Sequence, residues 1–229
     1  MERDIQERVE AVRERMALAC RRSGRAPEAV RLVGVVKGQT PDRIRMLVEA
    51  GVHDLGENRV QEGELHMAAL QGLPVHWHFI GQIQKNKINR ILGQYGLIHS
   101  VDSLRTLEHL DKRVEGVREL MLEINVGGEE SKSGMSPEAL LRAMDLIEGL
   151  HHVRVVGLMC IPPPAQDDPE ESRPFFARMR ALAEEIGARG GKTCIRELSM
   201  GMSDDFEVAI EEGATLIRLG TVLMGGRRL

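Results

Sequence analysis

The chain has 229 residues, of which 42% are hydrophobic and 29% are charged, and its formal net charge is −4. This length matches the usual size of a single (β/α)8 domain with one large core. The slight acidic excess argues against general attraction to nucleic acid or to an anionic membrane. An aromatic content of 3% also argues against a surface on which nucleic-acid bases stack.

The cysteines and the N-terminus both indicate the cytoplasm. Cys20, Cys160 and Cys194 form an odd set with no CxxC pair, so we expect buried thiols in a reducing compartment. The charged N-terminus lacks the apolar segment of a signal peptide, and no stretch approaches the ~18 apolar residues of a membrane span. We therefore expect a cytoplasmic protein that binds neither membranes nor nucleic acid.

The first predicted element is an amphipathic helix over 2–23, in which apolar residues recur at three- and four-residue steps. Apolar runs typical of buried strands follow at 32–37, 52–56, 76–80, 97–101, 119–126, 154–159, 195–199 and 215–219. Segments with helical spacing separate these runs. Helices are predicted to begin at Pro41, at Ser136-Pro137, at Pro169 (ending at 189) and at Ser203 (ending at 212, with Gly213 past its end).

This alternation of strands and helices predicts a parallel sheet. Eight such units in a chain of 229 residues favour a closed barrel over an open doubly wound sheet. No Gly-x-Gly-x-x-Gly follows the first strand, which further weakens a dinucleotide-binding fold. We therefore predict an α/β protein with one domain over 1–229, a single (β/α)8 barrel preceded by an extra helix.

Lys37 is the first candidate functional residue. Functional groups of such barrels lie where the strands end, and Lys37 ends the first predicted strand. Burial there would favour the neutral amine, which is the form that attacks an aldehyde. A solvated lysine that marks a strand end is the alternative.

The last two strands predict a phosphate site. Residues 198–204 and 217–222 each combine a strand end, a glycine and a helix start, and loops at these two strands are the recurrent phosphate site of the fold. The candidate ligands are Ser199, Gly201, Gly220 and Thr221, with ordinary turn chemistry as the alternative. Because strand 1 adjoins strand 8 in a closed barrel, Lys37 would lie beside this site. Pyridoxal 5′-phosphate and sugar phosphates are ligands that carry both an aldehyde-type carbonyl and a phosphate.

The sequence also resembles the YggS/PROSC family of pyridoxal phosphate homeostasis proteins over essentially its whole length. Blocks that carry the resemblance include 35–37, 56–62, 76–87, 124–126, 130–134, 157–163, 168–170, 173–176, 198–203 and 217–221. The resemblance implies an alanine-racemase-like barrel, pyridoxal 5′-phosphate as an internal aldimine on Lys37, and phosphate contacts from Ser199, Gly201, Gly220 and Thr221. By similarity to the racemase barrel, Arg218 would face the pyridine nitrogen. The sequence departs from the family at Val36, Gly38-Gln39, Arg59 and the tail 224–229.

Three further candidates carry weaker signals. Asn58, after the second strand, would bond either the cofactor's ring oxygen or its own loop. His76 and His78 share a strand face but lack a third ligand at suitable spacing, so packed or hydrogen-bonded histidines are favoured over a metal site. Lys132 would border the mouth or bind a second vitamer, although a surface role is the better prediction.

Two classes of function remain. A reversible carrier that delivers pyridoxal phosphate to apo-enzymes is favoured, with no strong catalytic activity and as a monomer. Arg218 at the pyridine nitrogen would weaken the ring as an electron sink, and racemization needs a second acid or base, which Tyr95 before strand 4 does not supply. The sequence ends soon after strand 8, so no second domain is expected to cover the mouth. The alternatives are a pyridoxal-phosphate-dependent racemase and a Schiff-base aldolase.

Overall fold

A computed structural model describes residues 2–129 and 131–225 of the chain. The atypical tail that the sequence analysis singled out lies outside the described residues from 226 onward. Within these residues, no helix combines the length and the apolar character needed to cross a bilayer.

The strands form a closed, all-parallel barrel, as predicted. Each strand pairs with its neighbours in sequence, and the eighth pairs with the first, with Val33 opposite Arg218. The strands are β1 Arg31–Val35, β2 Asp54–Glu57, β3 His76–Phe79, β4 Leu97–Val101, β5 Arg118–Glu123, β6 Val153–Met159, β7 Glu197–Ser199 and β8 Leu216–Leu219. The eight predicted runs are therefore the eight strands, with ends that coincide or shift by up to three residues.

The helices pack around the barrel in the predicted alternation. They are α1 Glu2–Arg22, α2 Pro41–Glu49, α3 Val60–Ala69, α4 Ile88–Gln94, α5 Leu104–Asp111, α6 Pro137–Arg142, α7 Met144–Glu148, α8 Arg173–Arg189, α9 Phe206–Glu211 and α10 Thr221–Met224. The extra N-terminal helix α1 packs on α9, α10 and α2. The Ser136 hydroxyl caps α6 by accepting the amide of Ala139, which confirms that predicted start.

Several element ends differ from the prediction for identifiable reasons. Strand 5 ends at Glu123, because the chain then turns and Asn125 bonds the carbonyl of Glu129 across the loop at 2.8 Å. Helix α9 begins at Phe206, because the Asp205 carboxylate accepts the amide of Met202 at 2.7 Å and holds the preceding residues in a turn. The segment after Pro169 begins with a 3-10 turn before α8.

Apolar side chains fill two regions. The larger core lies between the strands and the surrounding helices, and a small cluster of Val33, Met121 and Leu216 lies inside the barrel. Cys20 and Cys160 are buried free thiols, as predicted. The prediction for Cys194 is wrong, since this thiol is exposed in the segment that precedes β7.

Candidate functional site

Lys37 lies in a turn at the mouth of the barrel, the end at which the strands finish. Strand β1 ends two residues earlier, and the turn is closed by the amide of Gln39, which donates to the carbonyl of Val36 at 3.1 Å. Gly38 occupies the third position of this turn with a φ of 69°, a conformation that glycine adopts without strain. The half-buried Lys37 therefore projects from a turn rather than from the strand itself.

Buried polar groups of β2 and α3 hold this turn in place. His66 Nε2 lies 3.0 Å from the carbonyl oxygen of Gln39, and its Nδ1 lies 2.6 Å from a carboxylate oxygen of Glu57. The amide of Gly38 donates to the carboxylate of Glu62. The Gly38-Gln39 pair, a departure from the family pattern, thus has specific contacts in this chain.

Glu57 and His66 form a buried pair in which the pKa values of both groups are raised. Glu57 is fully buried, and burial raises the pKa of its carboxyl against the opposing effect of His66. Burial also acts to lower the pKa of His66, but the hydrogen bond and charge of Glu57 outweigh it and leave that pKa raised. This pair was not among the predicted residues.

Tyr95 lies beside this pair, behind the strand layer. Its backbone precedes β4 as predicted, but its buried ring packs on Phe79 at 5.1 Å between centroids, and its hydroxyl lies where a side chain on Gly63 of α3 would be. Burial raises the pKa of the phenol. The Tyr95 hydroxyl therefore lies between α3 and the barrel, near Glu57, and not at the opposite end of the barrel.

The loops after β7 and β8 meet beside β1. Ser203 Oγ accepts the amide of Val222 at 3.4 Å, which joins the two loops. Gly220 lies against Val35 of β1, and a Cβ at this position would meet Val35 only at ordinary contact distance. Thr221, exposed, opens the short helix α10. The structure thus brings Gly220 against the end of β1, two residues before Lys37, with Thr221 next to it in the chain and Ser203 bonded to the same loop.

Ser199 and Gly201 lie below these loops, inside the protein. The hydroxyl of Ser199 is fully buried and bonds His99 and Arg218 instead of facing the mouth. Gly201 has a φ of 93°, and a Cβ there would lie 2.5 Å from the Cβ of Ala209 in α9. The glycine at 201 is therefore required by helix packing. Ser203, whose hydroxyl lies at the junction of the two loops, was not among the predicted site residues.

Arg218 points into the barrel from β8. One of its terminal nitrogens donates to the carbonyl of Ser199 at 2.6 Å and to its hydroxyl at 2.7 Å, and the other donates to the carbonyl of Cys160 at 2.8 Å. Burial lowers the pKa of the guanidinium from its ordinary value. The side chain is thus held by three neutral acceptors.

Asn58 follows β2 at the mouth. Its side-chain oxygen is buried and has no hydrogen-bond partner within the described part of the chain. Its backbone packs so closely on Gly81 that a Cβ at 81 would lie 2.1 Å from the Asn58 carbonyl oxygen. A buried oxygen without a partner is costly, and a ligand donor near this loop would satisfy it.

Two carboxylates at the mouth were not predicted as site residues. Glu123 ends β5 and lies two residues after the inward-facing Met121, so it shares that face. Burial and the nearby Asp102 raise the pKa of Glu123, with Arg218 acting in the opposite direction. The Asp102 carboxylate accepts hydrogen bonds from Ser103 at 3.1 Å and from Thr106 at 2.9 Å. No clear signal in the sequence marks Glu123, because the three residues before it are all apolar and a glutamate in that place is typical of a strand end.

The remaining candidates have local roles. His76 is exposed, while His78 is buried and bonded to Asp54 and His99. Lys132 donates to the carbonyl of Pro162 at 3.1 Å and pairs with Glu129 at 2.6 Å. Across 2–129 and 131–225, no group of three or more His, Cys, Asp or Glu side chains is arranged to hold a metal ion.

Comparisons with known proteins agree on one family. The family model described as the N-terminal domain of alanine racemase matches residues 8–228. The pyridoxal phosphate homeostasis protein of Aquifex aeolicus is 43% identical over 97% of this chain and 98% of its own length, and that of Pseudomonas aeruginosa is 40% identical over 97% and 96%.

Solved structures extend the agreement to the fold. PipY of Synechococcus elongatus with PLP bound is 34% identical, with a TM-score of 0.84 over 96% of this chain and 100% of that chain. Alanine racemase of Clostridium difficile is 15% identical and has a TM-score of 0.73 over 100% of this chain and 60% of that chain, a likeness of fold alone. The chain therefore belongs to the family of pyridoxal phosphate homeostasis proteins, whose barrel is that of the alanine racemase N-terminal domain.

Proposed function

We propose that the chain binds pyridoxal 5′-phosphate at the mouth of the barrel, holds it through a covalent link to Lys37, and buffers and delivers it to other proteins. The observation that carries this proposal is the position of Lys37, whose turn follows the strand against which Gly220 packs. An amine and a candidate phosphate loop are thereby adjacent. The relative PipY, which aligns over nearly the whole chain, has a structure with PLP bound.

The phosphate is proposed to lie between the loops after β7 and β8. Thr221 and Ser203 offer hydroxyl groups there, and Gly220 leaves room for an oxygen to approach the backbone. The predicted roles of Ser199 and Gly201 are revised in this proposal, because both lie beneath the loops. They shape the site through Arg218, whose amide donates to the carbonyl of Gly201 at 3.0 Å.

Asn58 and Arg218 are proposed to contact the pyridine ring. The buried oxygen of Asn58 lacks a partner, so it can accept a hydrogen bond from a ring substituent. Arg218 uses its terminal nitrogens on Ser199 and Cys160, and the Nε–H lies outside these bonds. A guanidinium only donates, so a ring nitrogen that it contacts would stay unprotonated.

When bound, the cofactor supplies an aldehyde. Lys37 would supply the amine that condenses with this aldehyde, with release of one water molecule. The turn contributes position, since the bonds from Glu62 and His66 to Gly38 and Gln39 fix the residues that follow the lysine. Water can hydrolyse this link again, and delivery of the cofactor to another protein requires such a release.

Two features favour a carrier over an amino-acid enzyme. Because Arg218 only donates hydrogen bonds, the pyridine nitrogen that it contacts stays unprotonated, and an unprotonated ring is a weaker electron sink. The Tyr95 hydroxyl lies behind the strand layer between α3 and Glu57, away from the interior of the barrel. We further propose a monomer that acts in the cytoplasm on pyridoxal-phosphate-dependent apo-enzymes.

One observation favours retaining an enzymatic alternative. Glu123 is a partly buried carboxyl on the inner face of the barrel with a raised pKa, the property expected of a general acid or base. An amino-acid racemase would need such a group opposite Lys37. The racemase alternative therefore requires the Glu123 carboxyl for activity, whereas the carrier does not.

The test combines delivery with proton exchange. Loaded protein is mixed with a pyridoxal-phosphate-dependent apo-enzyme as the sole cofactor source, and recovery of enzyme activity is expected. In deuterium oxide with L-alanine or L-serine, NMR should show no α-proton exchange above that of free cofactor. Exchange that disappears in Glu123→Gln and in Lys37→Ala would establish the enzyme and overturn the carrier.

A further inference from the structure

A chain of hydrogen bonds crosses the interior of the barrel beneath the proposed site. Arg218 bonds Ser199 Oγ at 2.7 Å, and Ser199 Oγ lies 2.8 Å from His99 Nδ1. His99 Nε2 lies 2.9 Å from His78 Nδ1, and His78 Nε2 lies 2.8 Å from Asp54 Oδ1. One side chain comes from each of β8, β7, β4, β3 and β2, so we name this set the axial chain.

The ends of the axial chain restrict its hydrogen positions. Arg218 can only donate, and an ionised Asp54 can only accept. Burial acts to raise the pKa of Asp54, but the hydrogen bond and charges of His78, Arg31 and His76 outweigh it and hold that pKa below its ordinary value. Asp54 is therefore an acceptor at neutral pH.

The middle of the axial chain then follows step by step. Burial holds the pKa of His99 well below its ordinary value, so this ring is neutral. In the arrangement in which His78 carries its one hydrogen on Nε2 and donates it to Asp54, His78 accepts at Nδ1, so His99 donates from Nε2. His99 must then accept at Nδ1, and the Ser199 hydroxyl donates to it. Every hydrogen bond points from Arg218 toward Asp54.

We propose that His99 and His78 are positioning residues that commit the Ser199 hydroxyl hydrogen to His99, so that Ser199 Oγ offers only a lone pair to Arg218. The guanidinium is then fixed as a donor beneath the cofactor. This inference rests on the proposed function in one respect, namely that Arg218 contacts the cofactor ring.

The lower end of the axial chain opens to solvent, while its middle is closed. Asp54 lines a cleft of about 350 Å³ at the end of the barrel where the strands begin. The charged groups around it are Arg31 at 3.8 Å, His76 at 3.9 Å, Glu197 bonded to Arg31, and the pair Arg196–Glu119. His99 and Ser199 have no exposed surface. A proton can therefore enter the axial chain only from below or from the mouth.

One added proton would reverse the upper bonds. With both nitrogens of His78 protonated, its Nδ1 donates to His99 Nε2, and His99 must then donate from Nδ1 to Ser199. The hydroxyl would accept from both His99 and Arg218, and its own hydrogen would turn to another acceptor. The charge at Asp54 and His78 thereby sets the polarity of Ser199 beneath Arg218.

Nitrogen NMR of histidine-labelled protein tests the inference directly, without cofactor. In both His78 and His99 the hydrogen should be on Nε2, with Nδ1 as the acceptor. Asp54→Ala removes the terminal acceptor and should shift the ring signals of His99, which Asp54 does not touch. His76→Gln is the matched control, because His76 lies on the strand of His78 and 3.9 Å from Asp54 but outside the axial chain, and it should leave those signals unchanged.

A hydrogen on Nδ1 of His99 in the native protein would overturn the inference, as would His99 signals that are unmoved in Asp54→Ala. If Asp54→Ala does not fold, the native tautomers alone decide. With cofactor present, Asp54→Ala should raise the Kd for pyridoxal phosphate by about threefold to tenfold and shift the visible absorbance, whereas His76→Gln should change neither. If the tautomers are as expected but the protein binds no cofactor, the proposed function is refuted and the inference about the axial chain stands.

Discussion

Replacement of His66 by alanine tests the buried pair that supports the turn of Lys37. Glu57 is fully buried, and one of its oxygens already lacks a partner, so His66→Ala would leave the carboxylate without any side-chain partner. Removing one member of a buried pair costs about 3–5 kcal/mol. The bond to the Gln39 carbonyl is lost as well, which adds about 1 kcal/mol. We expect the free energy of unfolding to fall by ~4–6 kcal/mol.

The second variant makes this prediction specific. In the double variant Glu57→Gln/His66→Ala, no buried carboxylate is left without its partner. Its free energy of unfolding should therefore exceed that of His66→Ala by ~1–2 kcal/mol. Urea unfolding followed by circular dichroism measures both values. His109→Ala, in the last turn of α5, is a control that should stay within about 0.5 kcal/mol of the parent. A loss below about 1 kcal/mol in His66→Ala, or no rescue by the second change, would refute the reasoning.

The same pair predicts the sign of a pH effect. The pKa values of Glu57 and His66 are raised above ordinary values of 4.5 and 6.5 in the folded chain. A group whose pKa is higher in the folded chain than in the unfolded chain stabilises the fold at pH values below its unfolded-state pKa. That contribution is lost as the pH rises through its folded-state pKa. The free energy of unfolding should therefore fall as pH rises through and above this range. The decrease should be shallower in the double variant, and an equally steep decrease would contradict the prediction.

The remaining predictions concern the loops after β7 and β8. Ser203→Ala and Thr221→Val should each weaken binding of pyridoxal phosphate by about tenfold or more, the effect of losing one hydrogen bond to a charged group, and leave the affinity for pyridoxal unchanged. Fluorescence titration with both ligands measures this, and equal losses for the two would contradict the phosphate assignment. Gly201→Ala should cost ~1–3 kcal/mol in calorimetry, because its Cβ would lie 2.5 Å from that of Ala209. Unchanged stability would show that packing does not require this glycine.

The order of elements could be predicted because it depends on local patterns. Apolar runs of strand length and helix starts such as Pro41 and Ser136 recur in the sequence, and β1 and β8 are neighbours in any closed barrel of this topology. That topology alone brought Lys37 and Gly220 together. The strand ends were less predictable, since Val36 continues the apolar run but is already the first residue of the turn that the Gln39 amide closes.

Side-chain direction could not be predicted from these strands. Strands of a parallel barrel are buried on both faces, so they lack the alternation that separates the inside from the outside. Strand β7 has only three residues, which gives too little pattern to show that Ser199 points inward and that Ser203 stands at the loop junction. The contacts of His66 and His99 join residues distant in sequence and depend on the closed fold. His78, which was predicted to be packed or hydrogen-bonded, and His99, a histidine inside an apolar run, were the local signals of a polar interior.

The central claim is a covalent link between pyridoxal phosphate and Lys37. Protein incubated with pyridoxal phosphate is reduced with borohydride, digested and mapped by mass spectrometry, with Lys37→Ala carried through in parallel. The account predicts one pyridoxyl-phosphate adduct on Lys37 and loss of the visible absorbance band in Lys37→Ala. An adduct found only on Lys85, Lys87 or Lys132, or a band that persists in Lys37→Ala, would contradict it.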